Sequence, residues 1–165
     1  MANKILLRRE TPIIFRTGAG NKNFSIASLG NGTGFCSERV DLGAGSTNYQ
    51  FEWRAYFELG STVSGIDGSQ TLDVFLLTYD GTHADGMFTS STEGSISDTN
   101  KRFNLKPIGN VVVDTTTGVT LSASGRCEII ARYFHVVLFN FSGTSLSATQ
   151  ANNGIDFTPL SEEIQ

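Results

Sequence analysis

Few side chains in this chain are suited to chemistry, and they are scattered. Asp80, His83 and Asp85 share the short stretch DGTHADG at 80–86. Two carboxylates and an imidazole are donor types for a calcium or transition-metal loop. The stretch lacks the bidentate glutamate that an EF-hand requires, so a turn punctuated by Asp-Gly is the simpler reading. His135 lies inside an apolar run, where a hydrogen-bonded core histidine or a subunit-contact histidine is expected. Glu162 and Glu163 pair two carboxylates near the C-terminal end, far from any expected cleft. No GxSxG nucleophile elbow occurs. The run Gly30-Asn31-Gly32-Thr33-Gly34 matches no dinucleotide fingerprint and lacks the Lys-Ser/Thr ending of a phosphate loop, so it reads as a turn. These observations offer no catalytic constellation. The expectation is a protein that is not an enzyme and uses no cofactor or metal.

Two cysteines, Cys36 and Cys127, have no zinc-ligand spacing. Their separation in space is not legible in the sequence, so a disulfide stays open. No secretory leader is visible in residues 1–15, which favours two buried free thiols. The formal net charge is −4 and no basic stripe is present, which argues against a general nucleic-acid binder. No apolar run reaches the length of a membrane-spanning helix. Only 17% of residues are charged, and glycine, serine and threonine are abundant. That balance points to β-structure with many turns.

The element around which the chain is organised is CEIIARYFHVVLFNF at 127–141. It is rich in β-branched and aromatic residues. Both faces of a strand here would be largely apolar, which predicts a central strand covered on both sides, with a break near Ala131 and Arg132. Val137 and Phe139 are its expected core anchors. The stretch 50–59 alternates strictly: Phe51, Trp53, Ala55, Phe57 and Leu59 point one way, and Gln50, Glu52, Arg54, Tyr56 and Glu58 the other. Phe51, Trp53 and Phe57 are therefore core anchors. The polar face is either solvated or a subunit contact. Further strands are expected at 13–15, 24–29, 35–40, 72–79, 103–114, 119–123 and 155–160. Loops are expected at 80–95 and 144–153. With eight or nine strands and less than about one-tenth helix, the chain reads as all-β: a single jelly-roll-like antiparallel β-sandwich with a short N-terminal arm.

The first residues stand apart. Leu6, Leu7, Arg8 and Arg9 precede Pro12 and the short strand at 13–15. Residues 1–20 divide as an arm and first edge strand, and 21–165 as the sandwich. The arm has two readings: an edge strand with a frayed end, or a segment ordered only by docking on a partner.

Several stretches resemble one family. They are TPIIF (11–15), SLGNG (28–32), VDLG (40–43), WRAYFELG (53–60) and DGTHADG (80–86). To these are added SDTNKRFNLKPIGNVVVD (97–114), ARYFHVVLFNFSGTSLSAT (131–149) and TPLSEEIQ (158–165). Together they resemble the head decoration, or cement, proteins of tailed bacteriophages, and the resemblance covers nearly the whole chain. It departs at Phe35 and Cys36, where smaller or more polar residues are expected. The resemblance implies a β-sandwich structural virion protein that binds the outer surface of the capsid, commonly as a homotrimer, after assembly in the host cytoplasm. Its partners would be the phage major capsid protein and itself, with no nucleic acid and no membrane. Leu6, Leu7, Arg8 and Arg9 are the capsid-contact candidates. The alternatives are a tail- or neck-associated virion protein, or a carbohydrate-binding module using Tyr56, Tyr79 or Phe88 as a stacking platform.

Overall fold

A computed structural model describes residues 5–44, 49–66, 68–80, 90–114 and 118–164. The loop at 81–89, with His83, Asp85 and Phe88, lies outside the described residues, as does the turn at 115–117. The described chain is 51% strand and 7% helix. Its strands are β1 (Ile5–Arg9), β2 (Ile13–Phe15), β3 (Thr33–Cys36), β4 (Val40–Asp41), β5 (Tyr49–Glu58), β6 (Thr71–Tyr79), β7 (Gly94–Ile96), β8 (Lys106–Val112), β9 (Thr120–Ile129), β10 (Tyr133–Phe141) and β11 (Gly154–Ile164). Short 3-10 turns at Thr99–Asn104 and Gln150–Asn152 supply the helix.

Two antiparallel sheets pack face to face, an all-β sandwich as the turn-rich composition predicts. The first sheet runs β1-β11-β5-β9, with β2 also on β11. The second runs β7-β3-β10-β6-β8, with β4 also on β10. The apolar stretch at 127–141 is split between them. Cys127 and Ile129 finish β9 in the first sheet, and the chain crosses at Ala131–Arg132 to start β10 in the second. The expected break is thus the sheet-to-sheet crossing.

Inward-facing alternation builds the main core. Phe15, Phe51 and Phe157 from the first sheet meet Phe134 from the second, with ring centroids 5.6–6.0 Å apart. Offset and edge-on aromatic pairs at this spacing contribute about 0.5–1.5 kcal/mol each beyond their buried area. Phe51, Trp53 and Phe57 belong to this cluster. Val137 and Phe139 are fully buried but face outward from the second sheet. There they form a separate cluster with Cys36, Leu77, Ile96 and Leu105. β10 is therefore covered on both sides, because the segment carrying β7 and the 3-10 turn folds back over its outer face.

The expected strand at 24–29 is absent. Phe24 and Ile26 are buried, but their backbone runs in irregular turns. The Gln150 side chain accepts from Ala27 N–H at 2.9 Å and donates to the Phe24 carbonyl at 2.9 Å, replacing a strand partner. Ser28 adopts φ of 59°, which a strand cannot include. The segment at 35–40 likewise resolves into β3 and the two-residue β4 rather than one strand.

Candidate interface on the outer faces

The N-terminal segment does not stand off from the sandwich. β1 pairs antiparallel with the end of β11 in the same chain: Leu6 opposite Glu163, Leu7 opposite Glu162, Arg8 opposite Ser161, Arg9 opposite Leu160. Of the two readings of the arm, the edge strand is the one found for Ile5–Arg9, in place of a segment ordered only by a partner. Pro12, which cannot donate to a ladder, falls in the gap between β1 and β2 along the same edge of β11. Glu10 holds the junction, its N–H donating to the Pro159 carbonyl at 2.9 Å and its carboxylate accepting from the Ser161 hydroxyl at 2.7 Å. β5 accompanies β11 only as far as Leu160, opposite Gln50. From Ser161 to Ile164 the described pairing is with β1 alone. The first and last described strands thus form one two-stranded ribbon.

Beside this ribbon, the polar face of the first sheet forms a cleft of about 390 Å³ lined by Arg9, Glu52, Arg54, Ser124, Asp156 and Thr158. Arg9 is held there by Glu52, 2.7 Å from a carboxylate oxygen. Arg8 is exposed and only loosely paired, 3.9 Å from Glu10. Of the two arginines, Arg8 is the one available to a partner. Tyr56 lies over Gly154, leaving no room for a Cβ. The Tyr56 hydroxyl and Asp156 Oδ1 are buried without hydrogen-bond partners. Burial raises the Asp156 carboxyl above its usual range, against the pull of Arg16 and Arg54.

On the opposite face of the sandwich, outward residues of the second sheet form an aromatic and arginine cluster. Tyr79 and Tyr133, paired in register on β6 and β10, have ring centroids 5.7 Å apart. The Arg39 guanidinium sits 4.5 Å from the Tyr133 centroid and 5.6 Å from that of Tyr79. Arg132 lies 4.7 Å from Tyr133 and forms a two-point contact with Asp41, at 2.8 and 2.9 Å. That guanidinium, together with the Gly43 N–H, holds the Asp41 carboxyl down at about 2. Nothing in linear spacing points to this cluster. Its members come from three separate segments, and the pairing of β4 and β6 on β10 brings them together.

The remaining candidates are structural. His135 is buried, and its Nδ1–H donates to the Ser37 carbonyl at 2.8 Å. The Ser37 hydroxyl in turn accepts from Val136 N–H at 2.9 Å. Cys36 and Cys127 are free thiols on different sheets, pushed by burial up to about 12 and about 11. Among the described residues, no group of His, Cys, Asp and Glu is arranged to hold a metal ion. Two asparagines whose clamping role the sequence did not reveal tie the loops. Asn140 donates to the Leu29 and Thr144 carbonyls at 2.8 Å each and accepts from Ser142 N–H at 2.9 Å. Asn153 bridges Ser147, Thr149 and Glu58.

No known protein family's sequence model matches the chain, and no curated protein matches it.

Proposed function

We propose that this chain is a structural virion protein that decorates the outer surface of a tailed-phage head, as a homotrimer bound to the major capsid protein. The terminal ribbon carries the reading. A two-stranded ribbon is marginally stable in water by itself. Among the described residues, the free edge of β1 has no strand partner. Such an edge is a template for a neighbouring chain. Ile5, Leu6 and Leu7 give the ribbon apolar composition, and Arg8 supplies an exposed cation able to form a bidentate pair with a carboxylate. In a trimer, three such modest contacts act together, and avidity exceeds the strength of each. The carbohydrate-binding alternative has less support from its candidate platform. Tyr79 is covered by Arg39, and Tyr56 packs on Gly154.

The test is co-sedimentation of the purified protein with heads assembled from the major capsid protein alone. Isolated tails and a panel of immobilised glycans serve as parallel arms. Saturable binding to heads supports the proposal. Binding to tails or glycans with none to heads would transfer the chain to one of the alternatives.

A further inference from the structure

Two Asn-Gly pairs occur in the chain, Asn31-Gly32 and Asn153-Gly154. An asparagine before glycine is prone to spontaneous loss of side-chain ammonia, because glycine has no Cβ to shield its backbone nitrogen or restrict its backbone. The fold treats the two pairs differently. Asn31 and Gly32 are exposed in the turn that leads into β3, with Gly32 at φ of 75° and nothing within 4 Å of the place a Cβ would take. Asn31 Oδ1 accepts from Gly143 N–H at 2.9 Å, and Gly32 N–H donates to the Asn140 carbonyl at 2.7 Å. Asn153 is fully buried. Its Oδ1 accepts from Glu58 N–H at 3.1 Å, and its Nδ2 donates to the Ser147 and Thr149 carbonyls at 3.1 Å each. Its backbone is extended, and Gly154 is paired in register with Tyr56, whose side chain packs over it.

We propose that Asn31 is a site of spontaneous deamidation in the folded protein, and that the fold withholds Asn153 from the same reaction. The Gly32 nitrogen, its proton lost to solvent base, attacks Asn31 Cγ. A bond from that nitrogen to Cγ forms, the Cγ–Nδ2 bond breaks, and Nδ2 leaves as ammonia with a proton taken from water. The product is a cyclic imide. Water then opens the imide at either carbonyl, giving aspartate or, with the main chain rerouted through the side chain, isoaspartate. The net change is hydrolysis of one amide, and water is the only co-reactant. Gly143 N–H already sits on Oδ1, where negative charge develops during the attack, and a backbone donor there stabilises an oxyanion. Against this, Gly32 N–H must first leave the Asn140 carbonyl. That hydrogen bond lies in an exposed turn, so its opening is local, whereas freeing Asn153 means breaking three buried side-chain bonds and the start of β11. Aspartate at 31 keeps an acceptor for Gly143 N–H and adds a negative charge to a cleft that holds Asp73 and Arg102. Isoaspartate lengthens the backbone just before β3, where Gly34 packs on the Phe139 ring with no room for a Cβ.

The test uses the intact protein alone. It is incubated at pH 8, folded in buffer and unfolded in guanidinium, then digested briefly at acidic pH. Fragment mass spectra locate each amide-to-acid change, and an isoaspartyl methyltransferase assay counts the rerouted product. In the folded protein Asn31 is expected to convert, with Asn153 at least about a hundredfold slower because its opening is more costly. In guanidinium the two should convert at rates within a few-fold of each other, which assigns the difference to the fold and not to local sequence. N31Q, which keeps an amide but closes a cyclic imide far more slowly, should remove most of the isoaspartate formed by the folded protein. Equal rates at Asn31 and Asn153 in the folded protein, an Asn31 that converts only in guanidinium, or undiminished isoaspartate in N31Q would each overturn the proposal.

Discussion

The indole of Trp53 occupies the space that a Cβ on Gly109 would need. That atom would fall 2.6 Å from Cζ2 and 2.8 Å from Cη2, and one on Gly125, the cross-strand neighbour of Trp53, would fall 2.9 Å from Nε1. Trp53 belongs to the first sheet and Gly109 to the second, so this contact sets the local spacing of the sandwich. Substituting alanine for Gly109 forces the ring or the strand to move, at an expected cost of about 1–3 kcal/mol. Denaturant melts of G109A check this; an unchanged midpoint would show that the ring can yield.

Trp53 itself is 2% exposed, and its Nε1–H has no partner. W53A should lose about 3–5 kcal/mol, as large core truncations do. W53F removes the unsatisfied donor together with part of the buried area, so it should cost clearly less. Equal losses in the two variants would mean that the indole N–H is not a liability in the fold.

His135 predicts a pH dependence. Burial lowers its pKa below the ordinary 6.5, with the charge of Arg39 acting in the same direction and the Ser37 carbonyl opposing. The unfolded chain therefore takes up this proton first as pH falls. Stability from this group is intact above about 6.5 and is lost as pH drops from there through the lower folded value. H135Q keeps a donor for the Ser37 carbonyl and cannot titrate. Its melting temperature should fall less than that of the parent chain between pH 7.5 and 5.5. Parallel curves would locate the acid sensitivity elsewhere.

The two thiols should be inert in the native state. With pKa values pushed up to about 12 and about 11, Cys36 and Cys127 hold almost no thiolate near neutral pH. A thiol reagent at pH 8 should label Cys127 slowly and Cys36 more slowly still, with both reacting promptly in guanidinium. Rapid labelling of Cys36 in the folded protein would contradict its burial.

The asparagine clamp gives a further expectation. Replacing Asn140 by leucine removes three hydrogen bonds. The Leu29 carbonyl still accepts from Leu146 N–H and the Thr144 carbonyl from the Ser142 hydroxyl, so the orphan is the buried Ser142 N–H, at a cost of about 1–3 kcal/mol. Thermal melts of N140L should show a loss in that range; a smaller one would mean that the Ser142 N–H finds another partner.

What was legible in the sequence followed local periodicity. The strict alternation at 50–59 identified β5 and all three of its core anchors, because one face of that strand is buried and the other is not. The same rule failed at Phe24 and Ile26. Their period-two spacing reflects two side chains entering the core from an irregular segment, held by Gln150 more than a hundred positions away. The fate of Leu6 to Arg9 was undecidable for a similar reason: the strand that pairs with them is at the other end of the chain. Val137 and Phe139 were readable as buried but not as a second cluster, since the segment covering them carries little periodicity. The Arg39 cluster left no local trace, being assembled entirely by long-range register.

The most direct measurement of the central claim is co-sedimentation of the chain lacking residues 1–10 with undecorated heads, beside the intact chain. Phe15 and the rest of the core remain, so the truncated sandwich should still melt cooperatively. The account predicts saturable binding by the intact chain and a strong loss on truncation, because both the apolar strand and Arg8 are gone. Undiminished binding by a folded truncation, or no binding by the intact chain, would contradict attachment through the terminal ribbon.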